Sequence, residues 1–283
     1  AAVDGGGRSG SVDAVTPLVL EAVRFGYGAE PVLDGVSLRI GAGEGVALLG
    51  ANGAGKTTLT RLAMALRHPD AGRVVTAGRD TAGRRPEDLA DVAGYLFQHP
   101  EAQLFARTVR AEVSFGPERL GWKPERVVAA VDHVLGELAL EPYAGRHPYD
   151  LPGPTRRLVA FAAALVANPQ LLILDEPTAG LDRAARARVA DVIRRRRAAG
   201  VAVLAVTHDL GFAAGVLDRA VVLEGTQVSR DLPLVALLGH HPGFPAPPLL
   251  DLARRLGLGG AAPTIQALAP LLTSHPETGT LEA

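Results

Sequence analysis

Residues 45–59 read GVALLGANGAGKTTL, and this stretch decides the fold. An apolar strand, GVALLG, runs into a glycine-rich turn, and KTTL then opens a helix. GANGAGKT (50–57) fits G-x-x-x-x-G-K-[ST] in the strand–turn–helix setting that the pattern requires. Gly50, Gly53 and Gly55, with Ala51, Asn52 and Ala54 between them, let successive backbone N–H groups wrap a polyphosphate, and the helix N-terminus adds a favourable dipole. Lys56 is placed to reach the β- and γ-phosphates and the Thr57 hydroxyl to ligate Mg²⁺, and Thr58 is taken with them as nucleotide-binding. Of 29 basic residues only Lys56 and Lys123 are lysines, so a chain that hardly uses lysine has one at this position.

LLILDEPTAGLD (171–182) supplies the second half of a phosphate-cleaving site. A buried apolar strand delivers Asp175 to its C-terminal end, where the water shell of Mg²⁺ would sit. Glu176 follows, placed to polarise an attacking water.

Around these motifs short strands and helices alternate. PLVLEAVRF (17–25), VSLRI (36–40), RVVTAGR (73–79) and AGYLFQ (93–98) read as strands, and helical spacing covers 56–68. From 154 the order is helix to Ala167, strand LLILD, helix 183–199, strand VAVLAVTH, helix near 210–216 and strand AVVLEG. That alternation predicts an α/β fold with a largely parallel sheet. Residues 108–150 read instead as a helical insert, with Val127, Val131, Val134 and Leu138 on one helix face. Residues 1–16 read as a Gly/Ser linker, 17–230 as the nucleotide-binding domain with its helical part at about 100–168, and 231–283 as a small C-terminal segment. The missing initial Met points to a processed or recombinant chain, or to the second half of a longer fused protein.

Composition removes several alternatives. A net charge of -1 argues against binding nucleic acid by phosphate neutralisation, and the lack of cysteine excludes disulfides and thiolate metal sites. No apolar run approaches the roughly 18 residues that cross a bilayer, and AAVDGGGRSGS has no apolar core for a signal peptide. Arg194–Arg197 reads as a solvated helix end, His240–His241 as a loop, and Trp122 and His133 as packing and surface residues of the insert.

GANGAGKTT, YLFQ, LLILDEPTAGLD and VTHD, in that order, resemble the ATP-binding-cassette (ABC) ATPases. The resemblance implies a P-loop fold with a RecA-like core, an N-terminal antiparallel β-subdomain, the helical insert and a C-terminal appendage, with ATP and Mg²⁺ as cofactors. It also implies that Gln98 links Mg²⁺ or the attacking water to a transport partner, that Asp182 belongs to a dimer-facing loop, that His208 contacts the γ-phosphate, and that Tyr27 stacks on adenine. QHPEAQLFARTVRAEVSFGPERLG after the glutamine, with PPLLDLARRLGL and TIQALAPLL, is similar to the ATPases of energy-coupling-factor importers of vitamins and transition-metal ions. That similarity implies a transmembrane coupling subunit, a substrate-binding membrane subunit and a place on the cytoplasmic face of the membrane.

One motif departs from the family. LPGPT (151–155) stands where LSGGQ normally offers a Ser hydroxyl and glycine N–H groups to ATP on the opposite subunit. Leu151 and Gly153 persist, but Pro152 has no hydroxyl and neither proline has an N–H. Donors of this kind contribute ~1.5–3 kcal/mol each to a charged acceptor, whereas proline suits a first helical turn, so the change removes trans chemistry without removing the fold. The expectation is an asymmetric pair, with a second or fused cassette supplying an intact LSGGQ. The alternative is a regulatory cassette that binds ATP and dimerises with little hydrolysis. A DNA-repair or translation cassette would bring a long coiled-coil insertion or charged linkers, which the sequence does not have.

Overall fold

The computed structural model describes residues 16–28, 30–238, 244–245, 247–248 and 251. Most of the 1–16 linker, the His240–His241 pair, most of LLDLARRLGL and all of TIQALAPLL lie outside the described residues.

Among the described residues ten strands and seven α-helices follow in the order β1 (Leu18–Gly26), β2 (Pro31–Ile40), β3 (Gly45–Gly50), α1 (Lys56–Ala63), β4 (Ala71–Thr76), β5 (Arg79–Asp80), β6 (Ala93–Leu96), α2 (Val109–Arg119), α3 (Pro124–Glu137), α4 (Gly153–Leu165), β7 (Leu171–Asp175), α5 (Arg183–Ala198), β8 (Ala202–Val206), α6 (Leu210–Val216), β9 (Arg219–Glu224), β10 (Gln227–Pro233) and α7 (Leu234–Leu237). They form two sheets. β2-β1-β4-β5 is antiparallel, and β10-β9-β3-β8-β7-β6 is parallel except for β10 at its edge.

The central strands are apolar on both faces because both faces are covered. Val46 and Leu48 of β3, Leu171 and Ile173 of β7, and Leu204 of β8 pack toward α1 and the antiparallel sheet. Their alternates, Ala47, Leu49, Leu172, Leu174 and Val203, pack toward the helices of the insert and α5. The predicted face of α3 is buried: Val127, Val131, Val134 and Leu138 are at most 6% exposed.

α1 stops at Ala63 although helical spacing continues to 68. Ala65 takes φ 54°, and the N–H of Leu66 returns to the Arg61 carbonyl at 2.9 Å while that of Ala65 returns to Leu62 at 3.1 Å. This left-handed close is usually built on glycine, so alanine there gives the sequence no stop signal. β10 runs through residue 230 to Pro233, and Leu234, Leu237 and Leu238 are buried in the core beyond it.

Half of the Arg194–Arg197 run is a tie rather than a solvated end, while Arg194 and Arg195 remain exposed. Arg195 and Arg196 reach Glu137 of α3 at 3.3 and 2.6 Å, and Arg197 bonds the Val216 carbonyl and Asp218. The side chains of Arg196 and Arg197 are only 16% and 15% exposed, which a sequence count of charges does not reveal.

Candidate nucleotide-binding site

Four neighbouring parallel strands, β3, β8, β7 and β6, end at one edge of the sheet, and each delivers a motif there. β3 ends at Gly50, β8 leads to Thr207 and His208, β7 ends at Asp175, and β6 leads to Gln98. Asp175 pairs with Val206 across β7 and β8, which sets the acid beside the His208 loop. Ligands of open α/β sheets collect at this edge, outside the C-terminal strand ends.

A cavity of about 710 Å³ opens there, lined among others by Tyr27, Asn52, Lys56, Thr57, Gln98, Asp175, Glu176 and His208. Gly53 and Gly55 have φ of 84° and 93°, a conformation that other residues rarely adopt, and Gly55 immediately precedes α1. A Cβ on Gly50 would lie 2.3 Å from the Leu223 carbonyl oxygen, so only glycine fits at the close of β3. Lys56 Nζ donates to the Gly50 and Ala51 carbonyls at 2.8 Å each, which holds the ammonium inside the loop. Burial pushes its pKa down, opposed by Asp175 and then Glu176.

Thr57 Oγ1 lies 3.5 Å from Asp175 Oδ2. A hydroxyl and a buried carboxylate side by side are a hard-oxygen donor set, which fits Mg²⁺. Burial pushes the Asp175 carboxyl above the ordinary carboxylate range, against the Thr57 hydrogen bond and the Lys56 charge. A bound divalent cation would favour the ionised form again.

Glu176 sits at φ 50° with its N–H on the Val206 carbonyl at 2.8 Å. Its Oε1 accepts the His208 N–H at 3.1 Å, and its Oε2 lies 3.4 Å from the Thr207 hydroxyl. His208 Nε2 is 3.7 Å from Oε1, and the ring is 67% exposed. Burial raises the Glu176 pKa, with His208 opposing. Such a carboxyl can accept a proton from a water held in the cavity.

Tyr27 follows β1 and stands 55% exposed at the cavity rim, edge-on to Phe25 at 5.0 Å. Its hydroxyl accepts from Thr58 at 3.4 Å and Arg61 at 3.2 Å, so the ring is anchored against α1.

The structure therefore gathers Tyr27, Asn52, Gly53, Gly55, Lys56, Thr57, Thr58, Gln98, Asp175, Glu176 and His208 around one cavity. Gly50 and Ala51 serve it through their carbonyls, and Ala54 is buried beneath the loop. Asp182 does not line the cavity; its carboxylate caps α5 by accepting the Ala185 N–H at 2.7 Å. Sequence reasoning missed Thr207, which lies inside the VTHD motif and could have been found there. It also missed Arg157 of α4, whose Nη1 donates to the Glu176 carbonyl at 2.9 Å and Nη2 to the Gln98 carbonyl at 3.4 Å. One arginine of a double-arginine pair carries no sequence signal for that contact.

α4 itself begins at Gly153 with Pro152 as its cap, and no side chain hydrogen-bonds the first turn. Pro152, Gly153 and Pro154 are all exposed.

The sequence pattern of the ABC transporter family matches residues 33–179, and that of an AAA domain described as a putative AbiEii toxin of a type IV toxin–antitoxin system matches 148–214. The chain is 38% identical to the nickel import ATP-binding protein NikO of Rhodobacter capsulatus, over 86% of the chain and 98% of that protein. It is 36% identical to the cobalt import ATP-binding protein CbiO of the same organism, over 84% of the chain and 89% of that protein. A putative ABC transporter ATP-binding protein of Methanosarcina acetivorans, 38% identical over 79% of the chain, is much longer, and the match spans 38% of it. Among solved structures, cbiO1 from Clostridium perfringens, described as part of the ABC transporter complex cbiONQ, superposes with a TM-score of 0.73 at 25% identity, covering 91% of this chain and 99% of that one. The glycine loop, the acidic strand end and these likenesses agree: the chain belongs to the ABC transporter family, as an ATP-binding cassette that hydrolyses ATP for transport.

Proposed function

We propose that the chain powers an energy-coupling-factor-type importer of a transition-metal ion or vitamin, as one half of an asymmetric ATPase pair. The observation that carries this reading is a contrast within one site. Every cis group converges on the cavity, from Lys56 and Thr57 to Asp175, Glu176, Gln98 and His208, while the exposed start of α4 offers prolines.

In this reading Lys56 and the loop N–H groups hold the phosphates, and Thr57 and Asp175 with Gln98 hold Mg²⁺, which supplies charge neutralisation when bound. Glu176 takes the proton of the attacking water, His208 steadies the γ-phosphate and Tyr27 packs on the adenine. Asp182 faces the second cassette. That cassette, separate or fused, completes the site with its own LSGGQ; the Methanosarcina relative, of which the match spans 38%, is long enough to hold a second cassette.

A groove between β6, α2 and α4 supports docking of a transmembrane coupling subunit at the cytoplasmic face of the membrane. Phe105 and Phe115 stand 62% and 44% exposed there, in edge contact at 4.7 Å. Buried Glu112 fixes the loop by accepting the Phe105 and Ala106 N–H groups at 2.9 and 2.7 Å. The nickel and cobalt names of the relatives favour a transition metal as the solute, carried by a separate membrane subunit. The prolines alone favour the second reading, a regulatory cassette with little turnover.

Purifying the tagged chain with the subunits it carries, and measuring ATP hydrolysis of that complex and of the chain alone, tests the proposal. Fast hydrolysis only in a complex containing an LSGGQ cassette supports it. Ordinary transporter rates from the chain alone overturn the asymmetric pair, and a complex whose rate is unchanged by Glu176→Gln leaves the regulatory reading.

A further inference from the structure

We infer that Arg157 is a positioning residue for hydrolysis, locking the backbones of Glu176 and Gln98 to α4; this rests on the reading of Glu176 as the base. Three observations carry it. The guanidinium spans two carbonyls from different strand ends, Glu176 at 2.9 Å and Gln98 at 3.4 Å. Glu176 holds φ 50°, which persists in a non-glycine residue only where the surroundings over-determine it. Its N–H side is fixed by the Val206 carbonyl, and its carbonyl side by Arg157 together with a longer contact from the Ala179 N–H at 3.3 Å.

The chemistry suits arginine. A planar fork with separate N–H donors can hold two carbonyls at once, and a lysine ammonium on a flexible stem holds them without fixed geometry. Gln98 is exposed at the end of β6, and the backbone tie to Arg157 links it to the same cation that holds Glu176. Arg157 also lies two residues beyond LPGPT. The helix start has lost its donors toward the other subunit, while its next turn serves this chain's own site, so a shift of α4 is passed directly to Glu176 and Gln98.

The test compares Arg157→Ala, Arg157→Met and Arg157→Lys in the complex that co-purifies with the chain, each with and without Glu176→Gln. Arg157→Ala is expected to lower kcat by between about tenfold and a hundredfold, the scale of a misplaced reacting group, with KM and ATP binding within about twofold. Arg157→Lys recovers part of the loss. In the Glu176→Gln background Arg157→Ala lowers the residual rate by a clearly smaller factor than in the parent, because only the Gln98 tie is left to misplace. Hydrogen exchange of the isolated chain speeds up at residues 175–180 and 96–100. A kcat within about twofold of the parent for Arg157→Ala, while Glu176→Gln is inactive, overturns the positioning role alone. An equal further loss in the Glu176→Gln background also overturns it. Glu176→Gln turning over like the parent overturns the base assignment and the inference with it. If Arg157→Ala does not fold, the kcat-against-KM comparison of the Met and Lys variants decides.

Discussion

The backbone N–H of His208 donates to Glu176 Oε1 at 3.1 Å, so the loop after β8 aims the carboxylate that ends β7. A glutamine keeps an oxygen for that N–H, turns the long contact with the Thr207 hydroxyl from acceptor to donor, and loses the charge and basicity. Glu176→Gln is therefore expected to leave the melting temperature and ATP binding close to the parent. Turnover of the complex falls by roughly 10²–10⁴, the range for removing a general base. Steady-state hydrolysis alongside nucleotide binding checks this.

Burial holds the Glu176 pKa above its ordinary value, with the His208 charge opposing. A base works only when ionised, so kcat/KM, which reports the free protein, falls as pH drops through this raised value, and its acid limb lies above the ordinary Glu value. A pH–rate profile of the complex reads the limb directly. An acid limb at the ordinary carboxylate value would contradict the burial argument.

Asp175 carries the same sign into stability. Its folded pKa is raised, so between the unfolded and folded values the native chain binds more protons, and stability falls as pH rises through that window. Above the folded pKa the cost of the buried charge is fully present. Asp175→Asn keeps a carbonyl oxygen for the Thr57 hydroxyl 3.5 Å away and removes the charge. At pH 7 the nucleotide-free variant is expected to melt roughly 1–4 °C higher than the parent, and to lose the stabilisation that Mg²⁺ adds with ATP. Thermal scans with and without Mg²⁺ and ATP separate the two effects.

Much of this was legible in the sequence because the decisive groups sit on short local patterns. A glycine loop between strand and helix, and an apolar strand ending in Asp175, state their geometry within a dozen residues. The expected α/β core with its antiparallel β-subdomain and helical insert is the observed architecture. What was not legible depends on partners distant in the chain. Arg157 reaches a carbonyl 59 residues before it, and Arg197 reaches the Gly43 carbonyl 154 residues away. The end of α1 rests on an alanine in a left-handed conformation, which no residue type announces.

Tyr27 is exposed at the cavity rim, and its ring is held by Phe25 on one side and by its hydroxyl contacts to Thr58 and Arg61 on the other. A pre-positioned ring loses little freedom on stacking. Tyr27→Ala is expected to weaken ATP binding by roughly 2- to 12-fold, corresponding to ~0.5–1.5 kcal/mol of aromatic pairing. Tyr27→Phe keeps most of the affinity, and neither variant moves the melting temperature much. Fluorescent-nucleotide titration distinguishes stacking from a bystander role, in which both variants bind like the parent.

The start of α4 offers the sharpest test of asymmetry. Its cap, Pro152, makes no side-chain hydrogen bond to the first turn, and Pro154 lies within that turn. A serine cap adds about 0.5–2 kcal/mol of helix stability, which offsets the chain entropy gained when Pro154 becomes glycine, so the triple change Pro152→Ser, Pro154→Gly, Thr155→Gln should fold as well as the parent. When the chain is alone, any pair it forms is with itself, and both composite sites then face LPGPT. Restoring the hydroxyl and the N–H returns donors that each contribute ~1.5–3 kcal/mol toward a charged phosphate, so hydrolysis by the chain alone rises by about tenfold or more. Adding Glu176→Gln removes the gain, because the restored loop acts only through the base of the opposite copy. An unchanged rate at concentrations where the triple variant is dimeric by light scattering would mean that this helix start is not a trans donor in this protein.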